Sequence, residues 1–174
     1  MSVIPPSSKE VAFIDLEREL KVTRAVLERL PAEHYGWKPH EKSMNLGQLA
    51  LHVATLPDWA RVSLAQDELD AATAPRPPKT LESREQLLEI FDRSAAGLQS
   101  AAEQFDMATY NKPWSMRNGA KVMVTRPKSL VYRVWSINHL IHHRAQLCLY
   151  LRLLNVAVPT VYFNTADDPT WVFE

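Results

Sequence analysis

From about Ser129 to Leu154 the chain carries an apolar helical pattern that leaves almost no polar face. Val134, Trp135, Leu140, Ile141, Leu147, Leu149 and Leu151 cover most of the circumference, and Arg133, Arg144 and Arg152 supply what polar side there is. A helix of this kind needs cover on more than one side, from other helices or from a second copy of the chain. Within it, Ser136 to Gln146 holds three of the six histidines. His139 and His143 are spaced i,i+4, so an α-helix sets both rings on one face, a turn apart.

Three earlier segments can provide the cover. Phe13, Leu16, Leu20, Thr23, Leu27 and Leu30 keep three- and four-residue spacing, predicting a first helix from about Lys9 to Leu30, ended by Pro31 and capped by a serine after Pro5-Pro6. A connector, Ala32 to Met44, is long enough to pack Tyr35 and Trp37 onto the helices. Ser43 or Asn45 then caps a second helix with Leu46, Leu49, Val53 and Leu56 on one face. Pro57 should kink or interrupt it, and its signal fades by about Leu69. After a proline-rich loop, Thr80 caps a third helix whose inner face holds Leu81, Leu87, Leu88, Phe91, Ala95, Leu98, Ala102 and Phe105, with Glu82 and Glu85 in its first turn. Pro113 to Val124 reads as a short hairpin turning at Asn118-Gly119, which must lean on the helices. The tail from Val156 to Phe163 is extended and apolar and should run back over the bundle. The sum is an all-α chain, residues 1–174 as one domain: a four-helix bundle with a small β-hairpin inserted before the last helix.

Composition narrows the function. Lys plus Arg and Asp plus Glu are 20 each, so the net charge is zero. That argues against nucleic acid as the main partner and gives no pull toward an anionic membrane. No apolar run is long enough for a membrane span, and the first residues lack the features of a signal peptide. Cys148 is the single cysteine, so a reducing cytoplasm is the expected setting and a buried inert thiol its first reading.

The histidines carry the chemistry. Two imidazoles at i,i+4 can share one divalent ion, and the best third ligand is His52, which sits between Leu49 and Leu56 on the inward side of the second helix. Three neutral imidazoles leave open positions, as catalytic zinc sites do. Zinc, nickel and iron all accept such a set. His142, offset from both partners around the helix, then faces substrate, a ligand or an interface, or simply packs. Asn138 and Gln146 flank the site and could orient ligands or substrate. Tyr132 and Tyr150, seven residues before His139 and seven after His143, could line a pocket or belong to the core. His34 and His40 lie in the connector and should be solvated. No residue can be named as the general base, and no phosphate loop or nucleophile elbow is present.

The stretch from Asn138 to Gln146 resembles the Asn-His…His-His-Arg-Gly-Gln segment of the DinB-like family, sometimes grouped with the YfiT-like proteins and distinct from the DNA polymerase of similar name. Lys38 to Ser43 leading into Leu46 to His52, and the exit Asn155 to Tyr162 followed by Asp167, resemble it as well. Ala145 stands where the family commonly has glycine. The resemblance implies an up-down-down-up four-helix bundle, often a homodimer, with zinc or nickel on His52, His139 and His143. It also implies the activities of better-understood relatives, S-transferases and an isomerase using low-molecular-weight thiols such as bacillithiol or mycothiol. The leading expectation is therefore a cytoplasmic metal-dependent enzyme that presents a thiol to a small electrophile. A hydrolase using water at the same site is the alternative, and a non-catalytic helical dimer with packed histidines is the rival.

Overall fold

A computed structural model describes residues 9–169; the proposed serine cap near Ser7 and Ser8 lies outside them. Four helices carry about half of the described residues. After a single turn, α1 (Lys9–Ala12), they are α2 (Leu16–Glu28), α3 (Leu46–Ala65), α4 (Arg84–Gln104) and a last helix running from Lys128 to Leu153. The first helical segment is not continuous as expected. It breaks at Phe13–Asp15, where the Phe13 ring wedges edge-on between Phe105 and Tyr132 and Asp15 turns to accept from Arg133 Nη1 at 2.8 and 2.7 Å. Tertiary partners at these two residues outweigh helix propagation.

The N-terminus of α3 is built as a capping box: Asn45 Oδ1 accepts from the Gln48 amide, and Gln48 Oε1 accepts from the Asn45 amide. The preceding connector is stitched onto it, with Leu46 and Gly47 donating to the carbonyls of Trp37 and Tyr35. Gly47 is needed there, since a Cβ would sit 3.1 Å from Tyr35 Cβ. Pro57 does not interrupt α3, which continues to Ala65 with Pro57 buried. The chain then leaves helical geometry, and Leu69 lies in a strand, β1 (Glu68–Asp70), rather than at a helix end. Helix α4 starts later than expected. Ser83, not Thr80, is its cap, with Ser83 Oγ accepting from the Gln86 amide, so Glu85 lies in the first turn and Glu82 precedes the helix.

The hairpin is present as β2 (Pro113–Asn118) and β3 (Lys121–Pro127), antiparallel. Its turn is one residue later than expected, over Gly119-Ala120. Gly119 takes φ +60° at the first linking position, which is the demand of a type II′ turn. β1 pairs in parallel with β2, making a three-stranded sheet in the order β1-β2-β3. Asp70 Oδ1 ties the two together by accepting from the amides of Gly119 and Ala72. The hairpin thus leans on a strand as well as on the helices.

The last helix has three parts: α5 (Lys128–Leu130), a π-helical stretch (Val131–Asn138) and α6 (His139–Leu153). In the π stretch the Ser136 hydroxyl donates to the Val131 carbonyl five residues back. α6 ends in a Schellman arrangement: Asn155 at φ +56°, Val156 N donating to Leu151 O, and Asn155 N donating to Arg152 O. The tail does run back over the helices. Val158 is buried and Asp167 accepts from the Val158 amide and from Arg152.

One core joins these elements through Leu27, Leu46, Leu49, Leu87, Leu98, Leu140 and Leu147. Helix α3 meets the last helix along its length: Met44 O accepts from Tyr150, His52 meets His139, and Leu64 O accepts from the buried Lys128. Among the described residues no helix is long and apolar enough to cross a membrane.

Candidate metal centre

His52 comes from the inward side of α3, and His139 and His143 from the first two turns of α6. His139 Nε2 lies 3.2 Å from His52 Nε2 and 2.8 Å from His143 Nε2, and the three ring centroids are 4.6–4.9 Å apart. Each ring is half-buried, and among the described residues these three form the group whose donor atoms could hold a metal ion, all within 4.8 Å of one another.

The outer nitrogens decide where the lone pairs point. His139 Nδ1 faces the Trp135 carbonyl at 3.2 Å, and His143 Nδ1 faces Gln146 Oε1 at 2.7 Å. Both partners can only accept, so both Nδ1 atoms carry the proton and both Nε2 atoms present lone pairs. Gln146 in turn places its amide nitrogen 3.2 Å from His142 Nε2, with its oxygen turned to His143. Two lone pairs 2.8 Å apart repel unless a cation lies between them. Two nitrogens about 2.0–2.1 Å from a tetrahedral ion sit roughly 3.3–3.4 Å apart. The 3.2 Å pair nearly matches that, and the 2.8 Å pair must open by about half an ångström.

Burial favours the neutral form of two of the rings, His52 and His143. Burial, followed by the neighbouring His143 and His139, lowers the His52 imidazole to about 4. Burial also lowers His143, against the opposing effect of its bond to Gln146. Neutral imidazole is the form that ligates a metal.

A cleft of about 1590 Å³ opens beside the histidines, reaching His52, His139 and His142 at one side. Asn138 is exposed on the same side and His142 is exposed beside it. The flanking residues expected from sequence thus separate into two groups. His142 and Asn138 line the cleft, and Gln146 supports His143 and His142. Tyr132 and Tyr150 do not line it. Tyr132 is fully buried against Phe13, its hydroxyl without a partner. The π stretch between Tyr132 and His139 advances by less than 100° per residue, so a face extrapolated at 3.6 residues per turn slips away from the histidines. Tyr150 lies in α6 but is covered by Trp37, and its hydroxyl donates to Met44 O. Cys148 is half-buried, and burial raises its thiol pKa. His34 and His40 are exposed.

Sequence reasoning did not anticipate the rest of the cleft lining, to which Trp59, Arg61, Arg76, Arg93 and Trp135 contribute. For Arg93 a signal existed, because Ile90, Arg93, Ser94 and Gly97 recur at the spacing of one face of α4.

Several solved structures share this arrangement of elements. A DinB-like protein from Bacillus cereus ATCC 10987 superposes with TM-score 0.67 at 19% identity, covering 88% of this chain and 97% of the other. A DinB-like protein from Bacillus subtilis gives 0.66 at 16% identity, with 87% and 96% covered. A proposed DinB-family member from Exiguobacterium sibiricum 255-15 gives 0.61 at 20% identity, with 89% and 97% covered. At these identities the likeness shows the fold. No curated protein matches the chain. The model of the DinB family, however, matches residues 9–171, nearly the whole sequence. The chain belongs to the DinB family.

Proposed function

We propose that the protein is a metal-dependent enzyme in which His52, His139 and His143 hold one divalent ion through Nε2, with zinc or nickel preferred and iron a further candidate. One observation carries this reading. Three imidazoles from two helices bring ring nitrogens within 4.8 Å of one another while the Nδ1 protons of His139 and His143 are committed to Trp135 O and Gln146 Oε1. When bound, a divalent ion on three imidazoles keeps positions open and lowers the pKa of a thiol or water there.

The chain's own groups do the rest. Gln146 and the Trp135 carbonyl hold two rings in the ligating tautomer. Trp59, Leu56 and Trp135 give the cleft apolar walls beside the histidines, and its volume leaves room for two reactants. Those features suit an S-transferase joining a low-molecular-weight thiol to a small electrophile. The expected frame is a single up-down-down-up bundle, favoured by the residue pairings of α3 with the last helix. The expected state is a homodimer, favoured by Leu149 and Leu153, which stand exposed a turn apart on α6. A reducing cytoplasm suits a chain with one cysteine.

Elemental analysis of the purified protein tests the metal. About one divalent ion per chain is expected, lost on replacing His139 and His143 with alanine; a metal-free, well-folded protein would overturn the reading. Incubation with a thiol and chlorodinitrobenzene tests the transferase, which is abandoned if no metal-dependent conjugate forms.

A further inference from the structure

The end of the cleft away from the histidines is cationic in a protein whose net charge is zero. Arg61, Arg76 and Arg93 line it, along with two acids, Asp58 and Asp70. Both acids are already engaged. Asp58 Oδ1 accepts from Arg61 Nε at 2.6 Å, and Asp70 Oδ1 accepts from the Gly119 and Ala72 amides. Arg93 and Arg76 have no acidic partner among the described residues. Arg61 spends only its Nε on Asp58, and its terminal nitrogens remain available.

Placement of Arg61 depends on α4. Nine residues after His52, it leaves α3 on the opposite side of that helix. It reaches the cleft because its stem lies flat on Gly97 of α4, where an added Cβ would stand 2.9 Å from Arg61 Cδ. Gly97 is four residues after Arg93, so the two guanidinium groups belong to neighbouring turns of one α4 face. Guanidinium groups offer paired donors to an oxyanion. The walls between them and the histidines are apolar, including Ile90, Trp59 and Val134. Nine residues of α3 correspond to about 13–14 Å of axial rise, so a ligand touching both ends must be extended.

We infer that the cleft takes an organic acid with an apolar body, its carboxylate held by Arg61 and Arg93 and its other end directed to the histidines. Arg76, on the loop at the rim, adds to the field that draws the acid in. The assignment of a reacting end rests on the metal-enzyme reading above. The carboxylate end rests on the arginines alone.

Calorimetric titration of the full chain, zinc-loaded and metal-free, with octanoate, octanamide and inorganic phosphate tests this. Octanoate should bind, and octanamide about tenfold more weakly or worse, the size of a charge-assisted pair. Arg93→Gln and Arg61→Gln should each weaken octanoate about tenfold and leave octanamide unchanged. Gly97→Ala should weaken octanoate less, by displacing Arg61 without removing it. Arg126→Gln, on exposed β3, should change nothing. Arg93 is exposed, so its variant tests the inference even if replacing Arg61 disturbs folding.

Equal affinity for acid and amide would overturn the inference, as would octanoate binding indifferent to both arginines, which is also what direct capture of the acid by zinc would give. Phosphate binding as tightly as octanoate would overturn it too, by removing the role of the apolar body. A protein that binds zinc yet ignores ligand charge loses this inference and keeps the metal site. One that holds no zinc but binds octanoate through its arginines keeps the carboxylate site and loses the metal reading.

Discussion

Arg144 follows His143 directly in α6, and the two side chains leave the helix about 100° apart, His143 toward α3 and Arg144 toward α2. Around Arg144 polar groups are closed off. Arg144 is 1% exposed, and its guanidinium donates to Glu19 O, Thr23 Oγ1 and the Tyr162 hydroxyl, which itself donates to Glu19 Oε1. Glu19 Oε2 sits 2.7 Å from Arg144 Nη1, a charge contact too poorly aligned to be a hydrogen bond. Arg18 covers the outer face of the Tyr162 ring, 4.7 Å from its centroid. Around His143, by contrast, the outer nitrogens are satisfied and the inner ones crowd a single point beside an open cleft. Charge balanced within the fold holds elements in register, whereas lone pairs left converging need something from outside.

The contrast breaks most sharply at Arg144. Arg144→Met leaves the Glu19 carboxylate buried without its cation, and removal of one partner from such a pair costs about 3–5 kcal/mol. Urea unfolding should show that loss, while bound metal in the surviving folded fraction stays near one ion per chain. His139→Ala should do the reverse. The ring is half-buried and crowded, so metal-free stability should change by about 1 kcal/mol or less, whereas the stabilisation given by added zinc should vanish. For the unaltered protein that stabilisation is about 2.7 kcal/mol at a hundredfold excess over the dissociation constant. Equal stability losses in the two variants would show that both clusters are structural.

Between these two clusters, sequence pattern was informative where local rules act and silent where packing overrides them. Asn45 as one of two cap candidates, the hairpin with its turn placed one residue early, and the i,i+4 histidines follow from spacing, and His52 followed from its place between Leu49 and Leu56. The break at Phe13–Asp15 did not, because it depends on Phe105, Tyr132 and Arg133 far along the chain. Neither did the π stretch, whose residues carry no mark of a five-residue hydrogen-bond register. It is the feature that removes Tyr132 from the histidine face. Arg61 was illegible for a similar reason: on a helical wheel it opposes His52, and only Gly97 of another helix brings it round.

Gln146 offers a finer test of the histidine side. Its carbonyl oxygen fixes the tautomer of His143 and its amide nitrogen reaches His142. Gln146→Ala frees the ring to turn, and loss of such a supporting bond lowers metal affinity about 10–100-fold. Competition with a chromophoric chelator would measure it. An unchanged affinity would mean that the packing of the ring, and not this bond, positions the nitrogen.

A last effect is one of pH on the metal-free protein. His52 in the folded state protonates at about 4, below its unfolded value of about 6.5. Between those values the unfolded chain binds more protons than the folded one, so stability must rise with pH across that window. The His52 contribution is complete above about 6.5, declines as pH falls toward 4 and flattens below it. His52→Gln should remove that part of the slope, read as the shift in urea midpoint between neutral and mildly acidic buffer. Saturating zinc should steepen the slope in the unaltered protein, since protons then compete with the metal for the same Nε2 atoms. A midpoint with the same pH dependence in both proteins would place the His52 ring in ordinary contact with solvent, and the crowding that distinguishes this side of α6 from the Arg144 side would have no energetic consequence.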